Sequence, residues 1–126
     1  PLLLWSELGN LRAAGLLAFA IGAGVISGIF PEDLPTDPET VSGKIHGIGA
    51  GLGTLLLIGA CLFAPVRVEN RRKIVRGLAV LSLLSFALFL RSSATGQFAG
   101  LWQKACLGAA YLSVLLSLPL NPLRPQ

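Results

Sequence analysis

The sequence predicts an all-α integral membrane bundle of four transmembrane helices, and three observations carry that prediction. Of its 126 residues only 13% are charged and 53% are hydrophobic, where a soluble domain carries roughly a quarter charged. The mean hydropathy is +0.73. The apolar residues gather into four charge-free runs, 13–30, 47–66, 77–90 and 105–120, near the length of about 20 residues that a spanning helix needs. None of these runs alternates with period two, as a membrane β-barrel requires. Inside hydrocarbon the backbone must satisfy its own hydrogen bonds, which leaves helices.

Taken in order, the elements form a single transmembrane domain over 1–126. The first helix is expected at about 11–30, after Arg12. Its uncharged stretch exceeds a signal-peptide core, and three further runs follow it. The second is expected at about 45–65. The third, about 74–91, is the shortest and is bounded by Arg76 and Arg91. The fourth, about 101–120, follows Phe98, Leu101 and Trp102. The last two reach spanning length when Arg91 and Lys104 snorkel to the headgroups. The chain opens on Pro1 rather than Met, so a processed or incomplete chain is expected.

Charge distribution sets the expected orientation. The net charge is +4, but the charges segregate by loop. Arg67, Arg71, Arg72, Lys73 and Arg76 crowd the second connection, and Glu32, Asp33, Asp37 and Glu39 the first. Positive loops stay cytoplasmic, so both termini fall inside the cell (inner) membrane and the first and third connections outside. Such alternation marks membrane orientation rather than a nucleic-acid face. Cys61 and Cys106 form no CxxC and lie at different depths, so no bridge between them is expected.

Small residues recur at the spacing that lets helices approach closely: Gly24 and Gly28 in the first helix, and Gly43, Gly47 and Gly51, a glycine-zipper pattern, in the second. Ser82, Ser85, Ser113 and Ser117 are candidates for interhelical hydrogen bonds or for bonds within their own helices.

The topology brings Asp33, His46, Arg91, Gln103 and Lys104 to one outer rim. Three readings compete for it. Arg91 and Lys104 suit a lipid headgroup or other anion. Asp33, Asp37 and His46 suit a divalent metal, although a catalytic zinc normally takes three protein ligands and His46 is the sole histidine. An internal polar network, with Asp33 or Glu32 pairing Arg91 and His46 capping its helix, is the third. No GxSxG, HExxH or P-loop pattern is present, and no further cofactor is implied.

Gly28-Ile29-Phe30-Pro31-Glu32-Asp33, Gly43-Lys44-Ile45-His46 and Gly100-Leu101-Trp102-Gln103-Lys104 together resemble the DUF998 family of integral membrane proteins. That family shows an FPxD-like helix end, a GxxH-like opening of the next helix, and a GLxx[RK]-type entry to its last helix. Its members tend to have about six helices, and the resemblance aligns this chain with the last four. It places Asp33, His46 and Lys104 on motif positions and implies no reaction. The expected role is therefore a small multi-pass membrane protein. It would bind lipid or another ligand at the rim, or pack with partner subunits or a second copy. The alternative is a membrane-embedded hydrolase or transferase acting on lipid headgroups through His46 and nearby acids, with or without a metal.

Overall fold

The computed structural model describes residues 2–33, 38–63, 66, 68–95 and 98–118. Helix α1, Leu2–Phe19, runs into a π-helical segment, Ala20–Ile26, and a last turn α2, Ser27–Ile29. Then follow α3, Val41–Phe63, α4, Glu69–Thr95, and α5, Ala99–Ser117. Among the described residues four stretches are long and apolar enough to cross a membrane: Leu11–Ile29, Val41–Phe63, Glu69–Ser93 and Ala99–Ser117. The protein is a multi-pass, all-α membrane bundle, as its composition predicts.

The outside of the bundle is as apolar as its core, which holds Leu57, Ile58 and Val75 beside buried hydroxyls. Ser82 and Ser113 are fully buried, whereas Leu17, Ile29 and Leu84 are 62%, 65% and 58% exposed. Small and hydroxylated residues between helices, with large aliphatics outside, suit a hydrocarbon solvent that supplies no hydrophobic drive for helix association.

Two antiparallel pairs build the bundle. In the first, α1 and the π segment lie on α3 through glycines. An ideal Cβ on Gly53 would meet the Ala18 carbonyl oxygen at 2.9 Å, and one on Gly15 would meet the Ala60 Cβ at 2.5 Å. A Cβ on Gly49 would meet Ile26 Cγ2 at 2.6 Å, and one on Gly22 would run into the Gly49 carbonyl. The close approach therefore falls at Gly15, Gly22, Gly49 and Gly53. Gly24, Gly28 and Gly47, expected as packing positions, have nothing within 4 Å of such a Cβ, and Gly51 meets only Phe86 Cζ at 3.8 Å. The four-residue spacing identifies small-residue stripes, but the stripe that meets the neighbour is a different one.

The second pair, α4 and α5, closes through side-chain hydrogen bonds to backbone. Ser82 Oγ donates to the Cys106 carbonyl at 2.8 Å, and Ser113 Oγ to the Val75 carbonyl at 3.1 Å. Ser117 instead bonds back to Val114 on its own helix. The two pairs meet where Ile58, Phe86 and Cys106 form a buried cluster against Leu62 and Phe89. Phe19 and Tyr111 add an edge-to-face contact at 5.7 Å between α1 and α5. Both cysteines are free. Cys61 neighbours Ser113 and Cys106 neighbours Ser82, which separates the thiols by two turns of α5, roughly 10 Å.

Helix boundaries follow local chemistry. α4 extends beyond its apolar run at both ends, and Glu69 in its first turn suits the helix dipole and pairs with Arg72 and Lys73. Phe98 caps α5 from the left-handed region, φ 58°, its carbonyl accepting from the Leu101 and Trp102 amides. Leu118, which precedes a proline in the sequence, is extended and ends α5.

Candidate functional site

The chemistry-bearing residues concentrate where α2 gives way to α3. Helix α3 begins four residues before its expected start because Thr40 caps it. The Thr40 hydroxyl accepts from the Gly43 amide at 3.1 Å, and its carbonyl accepts from the Lys44 amide at 3.1 Å. This is the ordinary N-cap arrangement, with a second layer added. Asp33 Oδ2 accepts from the Thr40 amide at 2.7 Å, and Oδ1 from the Thr40 hydroxyl at 2.6 Å. Gly43 gives the carboxylate its room, since a Cβ there would run into it. Gly43, expected to serve helix packing, thus serves the loop.

Two further bonds tie the same strip of backbone to α3. Ser42 Oγ donates to the Pro31 carbonyl at 3.3 Å, and His46 Nδ1 lies 2.9 Å from the Phe30 carbonyl. Together these contacts form a clasp between residues 30–33 and 40–46. The Thr40 hydroxyl foremost, then its amide, hold the Asp33 carboxyl below the usual carboxylate range, against a smaller opposing effect of desolvation. A carbonyl only accepts, so Nδ1 carries the His46 proton, and in the neutral ring Nε2 is an acceptor. Among the described residues Nε2 has no hydrogen-bond partner.

The rim residues do not converge on one point. Asp33 and His46 share the clasp without touching each other. Arg91, Gln103 and Lys104 are exposed, and among the described residues they make no bond to either. Arg91 shares its stripe of α4 with exposed Leu84 and Leu88, and Lys104 its stripe of α5 with exposed Leu101 and Leu115. The expected Asp33–Arg91 pair is replaced by Asp33–Thr40, a partner close in sequence. Lys44 pairs with Glu39 at 3.3 Å in the open.

Asp37, the third expected metal ligand, lies outside the described residues. Among the described residues no three His, Cys, Asp or Glu side chains group as metal ligands, and both Asp33 oxygens already accept bonds from Thr40. The hydrolase reading needs an acid that orients His46. The partner at Nδ1 is a backbone carbonyl instead, and the Ser42 hydroxyl is engaged with Pro31.

Beside the clasp runs an open groove of about 390 Å³ between the π segment and α3. Its floor is Gly22, Gly49 and Gly53, and its lining includes Ile21, Ile26, Ile45, Ile48, Leu52 and Leu56. The Ser27 hydroxyl donates to the Gly22 carbonyl, five residues back, at 3.2 Å, within the wider turn that a π segment makes.

The model of the DUF998 family, described as a protein of unknown function, matches residues 2–118. The chain belongs to that family. No curated protein and no solved structure matches it. The FPxD-like and GxxH-like segments that carry the DUF998 resemblance prove to be the two sides of the clasp. Thr40 and Ser42 complete the clasp; Ser42 counted only as one of several outer-face hydroxyls, and Thr40 was not among the candidate residues. A threonine three residues before Gly43, at the opening of an apolar run, is the N-cap signal that points to them. The π segment has no comparable signal beyond a local density of glycine.

Proposed function

We propose that this DUF998 protein binds a membrane lipid, whose polar end sits at the clasp. The clasp end faces the extracytoplasmic side and both termini face the cytoplasm of the inner membrane. The cluster Arg71, Arg72, Lys73 and Arg76 at the opposite end of the bundle supports this orientation. One observation carries the reading. The clasp fixes His46 through Nδ1 and leaves Nε2 without a partner among the described residues, so a polarised acceptor stands at the membrane surface beside open hydrocarbon. A headgroup hydroxyl or ammonium is the donor that matches it. Arg91 and Lys104, on the lipid-facing sides of α4 and α5, supply positive charge for lipid phosphates at the same end.

Native mass spectrometry of the full chain released from mild detergent tests this. The expected spectrum shows lipid retained by the wild type and by Ser42→Ala, which loses a clasp bond but keeps the ring, and lost from His46→Ala at unchanged monodispersity. Equal retention by His46→Ala, or no lipid on the wild type, would overturn the reading.

A second reading is a subunit role, alone or with a second copy. The open space beside Gly24, Gly28 and Gly47 favours it, because small residues on a lipid-facing surface admit another helix. A partner chain retained in the same spectrum and released by Gly47→Leu would establish it.

A further inference from the structure

The groove between the π segment and α3 has a length, a volume and a position, and the three agree on one kind of occupant. Its α3 wall runs from Ile45 to Leu56, eleven residues along the helix and roughly 16 Å at 1.5 Å per residue. One leaflet of the hydrocarbon core is about 15 Å deep, half of about 30 Å. A transmembrane helix with its side chains, about 10–12 Å in diameter, would need several times the groove's volume of about 390 Å³ over that length. A single file of methylene carbons, in contact at about 3.5–4.0 Å, fits within that strip.

Position completes the argument. Every lining residue lies within the two spans Leu11–Ile29 and Val41–Phe63. The groove opens at Ile45, one residue from His46, so its polar end is the clasp itself. Its floor is made of glycines that let the two helices touch, while aliphatic residues stand along its sides. The groove is therefore a concavity within the lipid-facing surface of the first helix pair.

We infer that this groove is an acyl-chain site: one chain of an extracytoplasmic-leaflet phospholipid lies along it, from Ile45 down to Leu56, with its headgroup at the clasp. The inference rests on the lipid-binding reading above and adds which part of the lipid is recognised and where. The π segment contributes directly, since Ile21 and Ile26 on it form part of the wall.

The test reconstitutes the full chain in phosphatidylethanolamine and phosphatidylglycerol vesicles. These are doped with a phosphatidylethanolamine bearing a photoreactive diazirine at mid-chain, and the adducts are mapped after irradiation. Adducts should concentrate on Ile48, Leu52 and Ile21, at least fivefold above those on exposed Leu84 of α4. Leu52→Trp should reduce the groove adducts at least fivefold, because the indole fills the strip. Leu55→Trp, exposed but outside the lining, should leave them unchanged and serves as the folding control. Even labelling of all lipid-facing leucines would overturn the acyl-chain site, and so would adducts unaffected by Leu52→Trp. Exclusion of the probe by a second copy of the chain, seen as protein–protein cross-links at Leu52, would overturn it as well. His46→Ala separates the two proposals. Lipid lost from His46→Ala together with evenly spread adducts on the wild type leaves the headgroup reading standing and removes the groove. Focused, Leu52→Trp-sensitive adducts that persist in His46→Ala keep the groove and remove the headgroup reading.

Discussion

The two halves of the bundle solve one problem by different means. The pair formed by α1, the π segment and α3 is joined by contact between backbones, with glycine at Gly15, Gly22, Gly49 and Gly53. The pair formed by α4 and α5 is joined by serine hydroxyls that reach across to carbonyls, with Ala79, Cys106 and Ala110 buried between them. Backbone contact is non-directional, and it leaves a groove where side chains are missing. Hydroxyl bonds fix one rotation and one depth for each helix and fill the interface. The same membrane solvent thus permits a half with an open groove and a half whose interface is filled.

That contrast breaks most severely at Gly53. A leucine there meets the Ala18 carbonyl and the Phe19 backbone, which cannot yield as a flexible side chain does. Gly53→Leu should cost about 3 kcal/mol or more and appear as a large fall in the thermal midpoint in detergent. Gly24→Leu, with nothing near its Cβ, should match the wild type in the same assay. Equal effects of the two would dissolve the distinction between the glycine stripes.

In the other half, Ser82→Ala and Ser113→Ala should each cost about 0.5–1.5 kcal/mol, the range of interhelical hydrogen bonds in membranes. Their effects should be nearly additive, since the two bonds lie two turns apart and share no partner. A cost below the scatter of the melting assay for both would show that α4 and α5 are held by packing alone.

The clasp should give the smallest effect and the most specific one. Because Thr40 holds the Asp33 carboxyl below its ordinary value, the contribution of Asp33 is complete above the unfolded value of about 3.9. It disappears as the pH falls through the lower folded value. The wild type should therefore lose thermal stability on acidification below about pH 4. Asp33→Asn should start lower at neutral pH and lack that component of the acid response. Parallel curves for the two proteins would detach Asp33 from the clasp.

The sequence carried the number of spans, their helical character and the residue types at the rim, because hydropathy and backbone satisfaction decide those locally. It carried the pairing of those residues less well. Arg91 was a natural partner for Asp33 by charge, yet Thr40 reaches the carboxylate first across a seven-residue separation. Choosing among glycine stripes was equally out of reach. Gly24 and Gly28 have the same spacing as a contact stripe, and only the rotation of the helix puts Gly22 inward instead. The π segment changes that rotation partway along the first span, and no residue pattern announces it.

The clasp has a consequence for how the protein is made. Its bonds connect residues 7, 11 and 16 positions apart, so the loops to be closed are short and their entropic cost is small. The α4–α5 hydroxyl bonds also lie within one hairpin. The hairpin of α1, the π segment and α3 can therefore close on local contacts before α4 and α5 are in place. The groove is lined by that one hairpin alone, from Ala18 to Ile26 and from Ile45 to Leu56, so it needs no contribution from α4 or α5.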